Sequence, residues 1–95
     1  MEGIRIEHHP ESRRFSTTVD GCTASLDYRR VSDTVLEYSR TFVPVEIRQR
    51  GIAKTMTVYA LEYAAARGLK VIPSCWFVAK IMQEDPAFAG LEAGD

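Results

Sequence analysis

Apolar and polar residues alternate through the first half of the chain. Ile4, Ile6 and His8 alternate with Arg5 and Glu7 before His9-Pro10-Glu11-Ser12 breaks the run, so a short edge strand and a turn are expected. Phe15, Thr17 and Val19 resume the period of two. Asp20-Gly21 marks a two-residue hairpin, because that turn requires positive φ at its centre. A strand over residues 22–31 follows, with Cys22, Ala24, Leu26 and Tyr28 on one face and Thr23, Ser25, Asp27 and Arg29 on the other. That is the pattern of a sheet covered on one side. Ser32-Asp33 makes the next turn, and residues 34–43 form a further strand with Leu36, Tyr38 and Phe42 opposite Glu37, Ser39 and Thr41. The first half reads as an antiparallel meander.

Beyond Pro44 the period lengthens. Ile52, Met56, Tyr59, Tyr63 and Ala66 fall at helical spacing, Ala60 and Ala64 widen the stripe, and Gly68 ends it, which predicts a helix over residues 47–67. Residues 69–72 make a short apolar strand that pairs in parallel through a right-handed crossover. Ser74 as N-cap opens a second helix over residues 75–83, stopped at Asp85-Pro86, and residues 89–95 are expected to fray. Residues 1–95 thus read as one α/β domain, with a mixed, mostly antiparallel sheet and two main helices.

Composition narrows the class. With 45% apolar residues in 95 positions, one compact core is within reach. Thirteen acidic side chains against twelve basic ones give a net charge of -1, so no overall field draws the chain to nucleic acid or to an anionic membrane. Two cysteines far apart read as reduced thiols, and no window approaches a membrane span. The expectation is a soluble cytoplasmic protein. The His8-His9 pair matches no useful metal-ligand spacing and reads as surface.

The informative stretch is Val43-Pro44-Val45-Glu46-Ile47-Arg48-Gln49-Arg50-Gly51-Ile52-Ala53. A strand delivers the chain into a turn, and the next helix begins with unpaired N–H groups, which attract anions. Gly51 and Ala53 keep bulk away from the backbone, while Arg48, Arg50 and Lys54 add positive charge. The cluster suits a pyrophosphate, although neither G-x-G-x-x-G nor G-x-x-x-x-G-K-S/T can be read here. The six residues from Arg48 to Ala53 also fit a solvated basic helix start. Their position between meander, helix and parallel strand favours the anion site.

Arg48-Gln49-Arg50-Gly51-Ile52-Ala53 resembles the Q/R-x-x-G-x-G/A acyl-CoA motif of the GNAT (N-acetyltransferase) superfamily. Thr41-Phe42-Val43-Pro44 is similar to the T-x-V-P approach of a small single-domain branch. Pro73-Ser74-Cys75-Trp76-Phe77-Val78 resembles the P-x-C-x-F/Y-V/I segment of the same branch. The resemblance spans residues 14–88. It implies a minimal GNAT fold in which strands 34–43 and 69–72 splay apart and acetyl-CoA lies between them. Backbone groups of Val43 and Val45 would bond the pantetheine arm, Arg48, Gln49, Arg50, Gly51, Ile52, Ala53 and Lys54 the pyrophosphate, and Trp76 and Lys80 would border the cofactor.

Two residues are candidates for the chemistry. Glu37 stands at the offset before Gly51 that the general-base carboxylate has in some histone-type relatives, and it also reads as a solvated strand residue. Cys75, at the start of the second helix, is a candidate acyl acceptor or thiolate protonator, and it also reads as an inert core thiol. The favoured function is acetyl transfer from acetyl-CoA to an unidentified amine, of a small molecule or a protein. The alternatives are an acyl-CoA-binding or sensing module with little turnover, and a non-enzymatic protein-interaction domain. A bare sheet face leaves room for a homodimer.

Overall fold

The protein is described by a computed structural model over residues 4–93. Its five-stranded sheet runs in sequence order: β1 (Glu7–His9), β2 (Arg14–Val19), β3 (Cys22–Ser32), β4 (Val35–Phe42) and β5 (Lys70–Pro73). The first four strands pair antiparallel, and β4 pairs β5 in parallel. The crossover carries a 3-10 turn (Val45–Ile47) and helix α1 (Ile52–Ala66), and after β5 come helix α2 (Trp76–Glu84) and a second 3-10 turn (Pro86–Phe88). The mixed sheet and two main helices agree with the expected fold class.

Local chemistry sets several boundaries. Asp20 and Gly21 have φ of 51° and 77°, the two-residue primed turn expected from their identities, and Val19 pairs Cys22 across it. Gly68, with φ 69°, closes α1 in a Schellman arrangement: its N–H donates to Ala65 at 3.2 Å and the N–H of Leu69 to Ala64 at 2.9 Å.

The core lies on one face of the sheet. Phe15, Ala24, Leu26, Leu36, Tyr38 and Val71 form a single buried cluster with Ile52, Met56, Ala60, Leu61 and Ala64 of α1 and Val78, Ile81 and Met82 of α2. The opposite face is polar, tied by the ion pairs Arg14–Asp27 at 2.6 Å and Arg29–Glu37 at 2.8 Å and by a Thr18–Thr23 hydroxyl bond. Among the described residues no helix is long and apolar enough to cross a membrane.

Four expectations need correction. The first helix does not start at Ile47, whose side chain is wholly buried beneath a 3-10 turn; Gln49 at φ 66° and Gly51 at φ 74° take left-handed backbone that a continuous helix excludes. The tail does not fray over residues 89–93, because Leu91 is buried and residues 91–93 run beside β5, with Val71 donating to Leu91 at 3.0 Å and accepting from Ala93 at 2.8 Å. Ser74 does not cap α2; Cys75 holds that position. His8 is only partly exposed. Its ring stacks on Phe15 at 4.3 Å and meets the Tyr28 hydroxyl at 2.7 Å, beside Tyr63, on which Arg67 lies at 3.9 Å.

Tyr38 joins the layers. Its hydroxyl, wholly buried, donates to the carbonyl of Ala60 in mid-α1 at 2.6 Å. Tyr38→Phe keeps the ring and removes this bond, so urea unfolding should show a loss of about 1–2 kcal/mol with an unchanged m-value.

Candidate acyl-cofactor groove

The parallel ladder between β4 and β5 stops at Tyr38 and Pro73, while β4 continues to Phe42. Two backbone events open the gap. Ser39 is an extra residue in β4, since Tyr38 faces Tyr28 and Arg40 faces Asp27 on the neighbouring strand, and such a bulge bends the strand locally. On the other side the chain turns at Ser74, whose N–H folds back to Ile72 at 3.1 Å, and the N–H of Cys75 makes the last rung to the Tyr38 carbonyl at 3.1 Å.

The splay leaves a groove of about 460 Å³. Thr41, Phe42 and Val43 line it from the end of β4, and Arg48, Gln49, Gly51, Ala53 and Lys54 from the turn and first residues of α1. Cys75, Trp76 and Phe77 close it at the start of α2. No carboxylate or histidine lines it, so Arg48 and Lys54 set a positive field. Arg48 is further oriented by donating through Nε to the Val43 carbonyl at 2.9 Å.

The turn itself is built for an anion. Gln49 and Gly51 take left-handed backbone on either side of Arg50, Arg48 before them is extended, and the N–H groups of residues 49–54 have no acceptor among the described residues. Successive N–H groups exposed in this way form a concave anion nest at the helix start. At Gly51 a side chain would combine an unfavourable positive φ with bulk on the groove wall.

Cys75 sits where the splayed strands part. Its thiol lies 3.5 Å from the Thr41 hydroxyl. Partial burial pushes the thiol pKa up, but hydrogen bonding from the Thr41 side chain and from the backbone of Val78, Phe77 and Thr41 outweighs it, leaving the thiol below its ordinary range.

Of the residues singled out from sequence, the groove therefore brings together Val43, Arg48, Gln49, Gly51, Ala53, Lys54, Cys75 and Trp76. It does not bring in the others. Val45 is 69% exposed on the 3-10 turn, Ile52 is buried in the core, Arg50 pairs with Asp20 at 2.5 Å, and Lys80 pairs with Glu84 at 3.2 Å. Glu37 does not line the groove. Its carboxylate accepts from the Ser74 hydroxyl and from Arg29 at 2.8 Å, and these bonds hold it below the usual carboxylate range, the reverse of what a general base near neutral pH needs. Thr41, Phe42 and Phe77 line the groove without having been assigned to it. Strand alternation puts Thr41 and Phe42 on opposite faces, and both contribute where β4 keeps β3 on one side and has no strand on the other.

Comparison with known proteins places these features. Residues 14–91 match the family model described as GCN5-related N-acetyl-transferase. Protein NATD1 of Mus musculus is 36% identical over 85 residues, which cover 87% of this chain and 77% of that protein. Protein NATD1 of Homo sapiens is 35% identical over 85 residues, with 75% of its length covered. In overall shape the chain is similar to the solution structure of a GCN5-like protein from Staphylococcus aureus. The TM-score is 0.73 at 22% identity, covering 100% of this chain and 93% of that one, a likeness of fold.

The thiol geometry sets a test. In a Cys22→Ala background, iodoacetamide labelling of Cys75 should rise with pH through an inflection below that of an ordinary, unperturbed thiol. Thr41→Val should move that inflection upward, while Thr41→Ser leaves it near the parent's.

Proposed function

This chain belongs to the GCN5-related N-acetyltransferase family, and on that premise we propose that its groove holds acetyl-CoA and directs the acetyl group to an amine. The observation that carries the reading is the run of unpartnered N–H groups over residues 49–54, opening into a groove whose charged lining is wholly cationic. A pyrophosphate fits that nest in charge and in donor number, and the missing Cβ of Gly51 leaves it room to approach.

Arg48, Gln49, Gly51, Ala53 and Lys54 would hold the pyrophosphate. The free end of β4 near Val43 would hold the pantetheine arm by main-chain bonds, as an added strand does. When bound, the cofactor supplies a thioester whose acyl carbon the amine attacks, the C–S bond breaking and the proton lost by nitrogen passing to the departing sulfur. The residues at that end of the groove are Thr41 and Cys75. The Thr41 hydroxyl and the N–H groups at the start of α2 favour the Cys75 thiolate. A thiolate there can take the acyl group by thioester exchange, releasing the first sulfur, and then yield it to an amine. In its thiol form Cys75 can instead give its proton to the leaving sulfur. Both cysteines are free, which supports the cytoplasmic setting expected from the sequence.

One observation favours a second reading, an acyl-CoA-binding or sensing module with slow turnover. The groove lining offers no carboxylate or imidazole to take the amine proton.

Titration calorimetry with acetyl-CoA tests both readings: the native chain should bind, and Gly51→Asp should weaken binding more than tenfold by placing bulk and negative charge in the nest. Absence of binding by the native chain removes both. Thiol release across a panel of amines then separates them, with Cys75→Ala expected to cut the rate at least tenfold if Cys75 carries the acyl group, and Glu37→Gln to leave kcat within about threefold.

A further inference from the structure

Arg50 is the central cation of the pyrophosphate turn in sequence, yet its side chain is absent from the groove wall that Arg48, Gln49, Gly51, Ala53 and Lys54 form. It reaches across to the β2–β3 hairpin, where Nη1 meets Oδ2 of Asp20 at 2.5 Å. Both ends of this link rest on unusual backbone. Asp20 is the first residue of a tight turn with φ 51°, a conformation that aspartate tolerates. Arg50 lies between Gln49 at φ 66° and Gly51 at φ 74°. Glutamine carries no preference for the left-handed region, so something outside the turn must help to hold it there.

The other ties on this segment are few. Ile47 anchors its start in the core, Ile52 anchors its end, and Arg48 bonds back to Val43. Between the two anchors the Arg48 N–H donates to Val45 at 3.3 Å, but the N–H groups of residues 49–51 have no acceptor among the described residues, so the centre of the turn is not braced by main-chain bonds.

We infer that Arg50 is a positioning residue rather than a phosphate ligand, and that Asp20 is its partner: together they staple the hairpin to the turn and keep the anion nest open. The inference rests on the reading of the groove as a CoA site, and it deepens that reading by moving one arginine out of the ligand shell and bringing in a hairpin carboxylate. It also resolves why a negative side chain stands beside an anion site. The Asp20 carboxylate is taken up by the arginine.

The pair is exposed, 43% at Arg50 and 68% at Asp20, so the effect is modest and calls for a cycle of variants. Asp20→Asn keeps the turn conformation and removes the charge; Arg50→Gln removes the other partner. Calorimetry with CoA should give each single variant binding about three- to fivefold weaker than the parent, and the double variant should be no weaker than either single one. Pantetheine, which lacks the pyrophosphate, should bind all four proteins alike. If Arg50 instead contacts phosphate, Asp20→Asn frees it and CoA binds as well as before or more tightly, which overturns the inference. Additive losses in the double variant overturn it too. Amide hydrogen exchange of residues 49–52 supplies a readout without cofactor: the staple predicts faster exchange in Asp20→Asn than in the parent, and equal rates overturn it. Should the parent bind no CoA at all, the reading of the groove fails while the exchange comparison still decides on the staple.

Discussion

The carbonyl of Tyr38 accepts the N–H of Cys75, and its phenol donates to the carbonyl of Ala60. One residue of β4 thereby refers both helices to the same point of the sheet. The bulge at Ser39 follows at once, and the strand leaves its parallel neighbour there. Everything that makes the groove is placed relative to this rung: Cys75 by its own N–H, Thr41 by the strand beyond the bulge, and the turn by α1. Desolvation, with the neighbouring phenols of Tyr28 and Tyr63, raises the Tyr38 pKa far beyond any working pH, so this junction is a permanently neutral one.

The legible parts of the molecule were those decided within a few residues. Asp20-Gly21 and Gly68 carry their conformations in their own identities, and the alternation of β2 and β3 reports the covered face directly. The misread parts are settled by partners distant in the chain. Ser74 is a better N-cap than Cys75 by intrinsic preference, but the Glu37 carboxylate captures its hydroxyl from another strand and leaves the cap to the cysteine. Ile47 fits a helical stripe, yet it is a strut under a turn, and the left-handed Gln49 gives no signal in sequence. Leu91 is a single apolar residue among small and polar ones, and only the exposed flank of β5 explains why it docks.

The same division runs through the site. The motif around Gly51 points to the turn because backbone geometry and residue size are locally encoded. The side chains of Arg50 and Lys80 do not line the groove, because the direction of a cation depends on which acid stands nearby in space, and that of Ile52 is drawn into the core. Glu37 is the converse case. Its position along the strand suggested a proton acceptor, and its neighbours Arg29 and Ser74 turn it into a clamp between β4 and the segment after β5.

The parallel pairing of β4 with β5 also has a bearing on time. The antiparallel strands close short hairpins, and their contacts can form as soon as neighbouring segments meet. The β4–β5 ladder closes only after the whole crossover has been drawn in, with α1 settled on the meander, and pairings of such sequence separation cost more chain entropy and form more slowly. The groove exists only where that ladder ends. The groove proposed for the cofactor is therefore the part expected to mature last, on a scaffold of hairpins already in place.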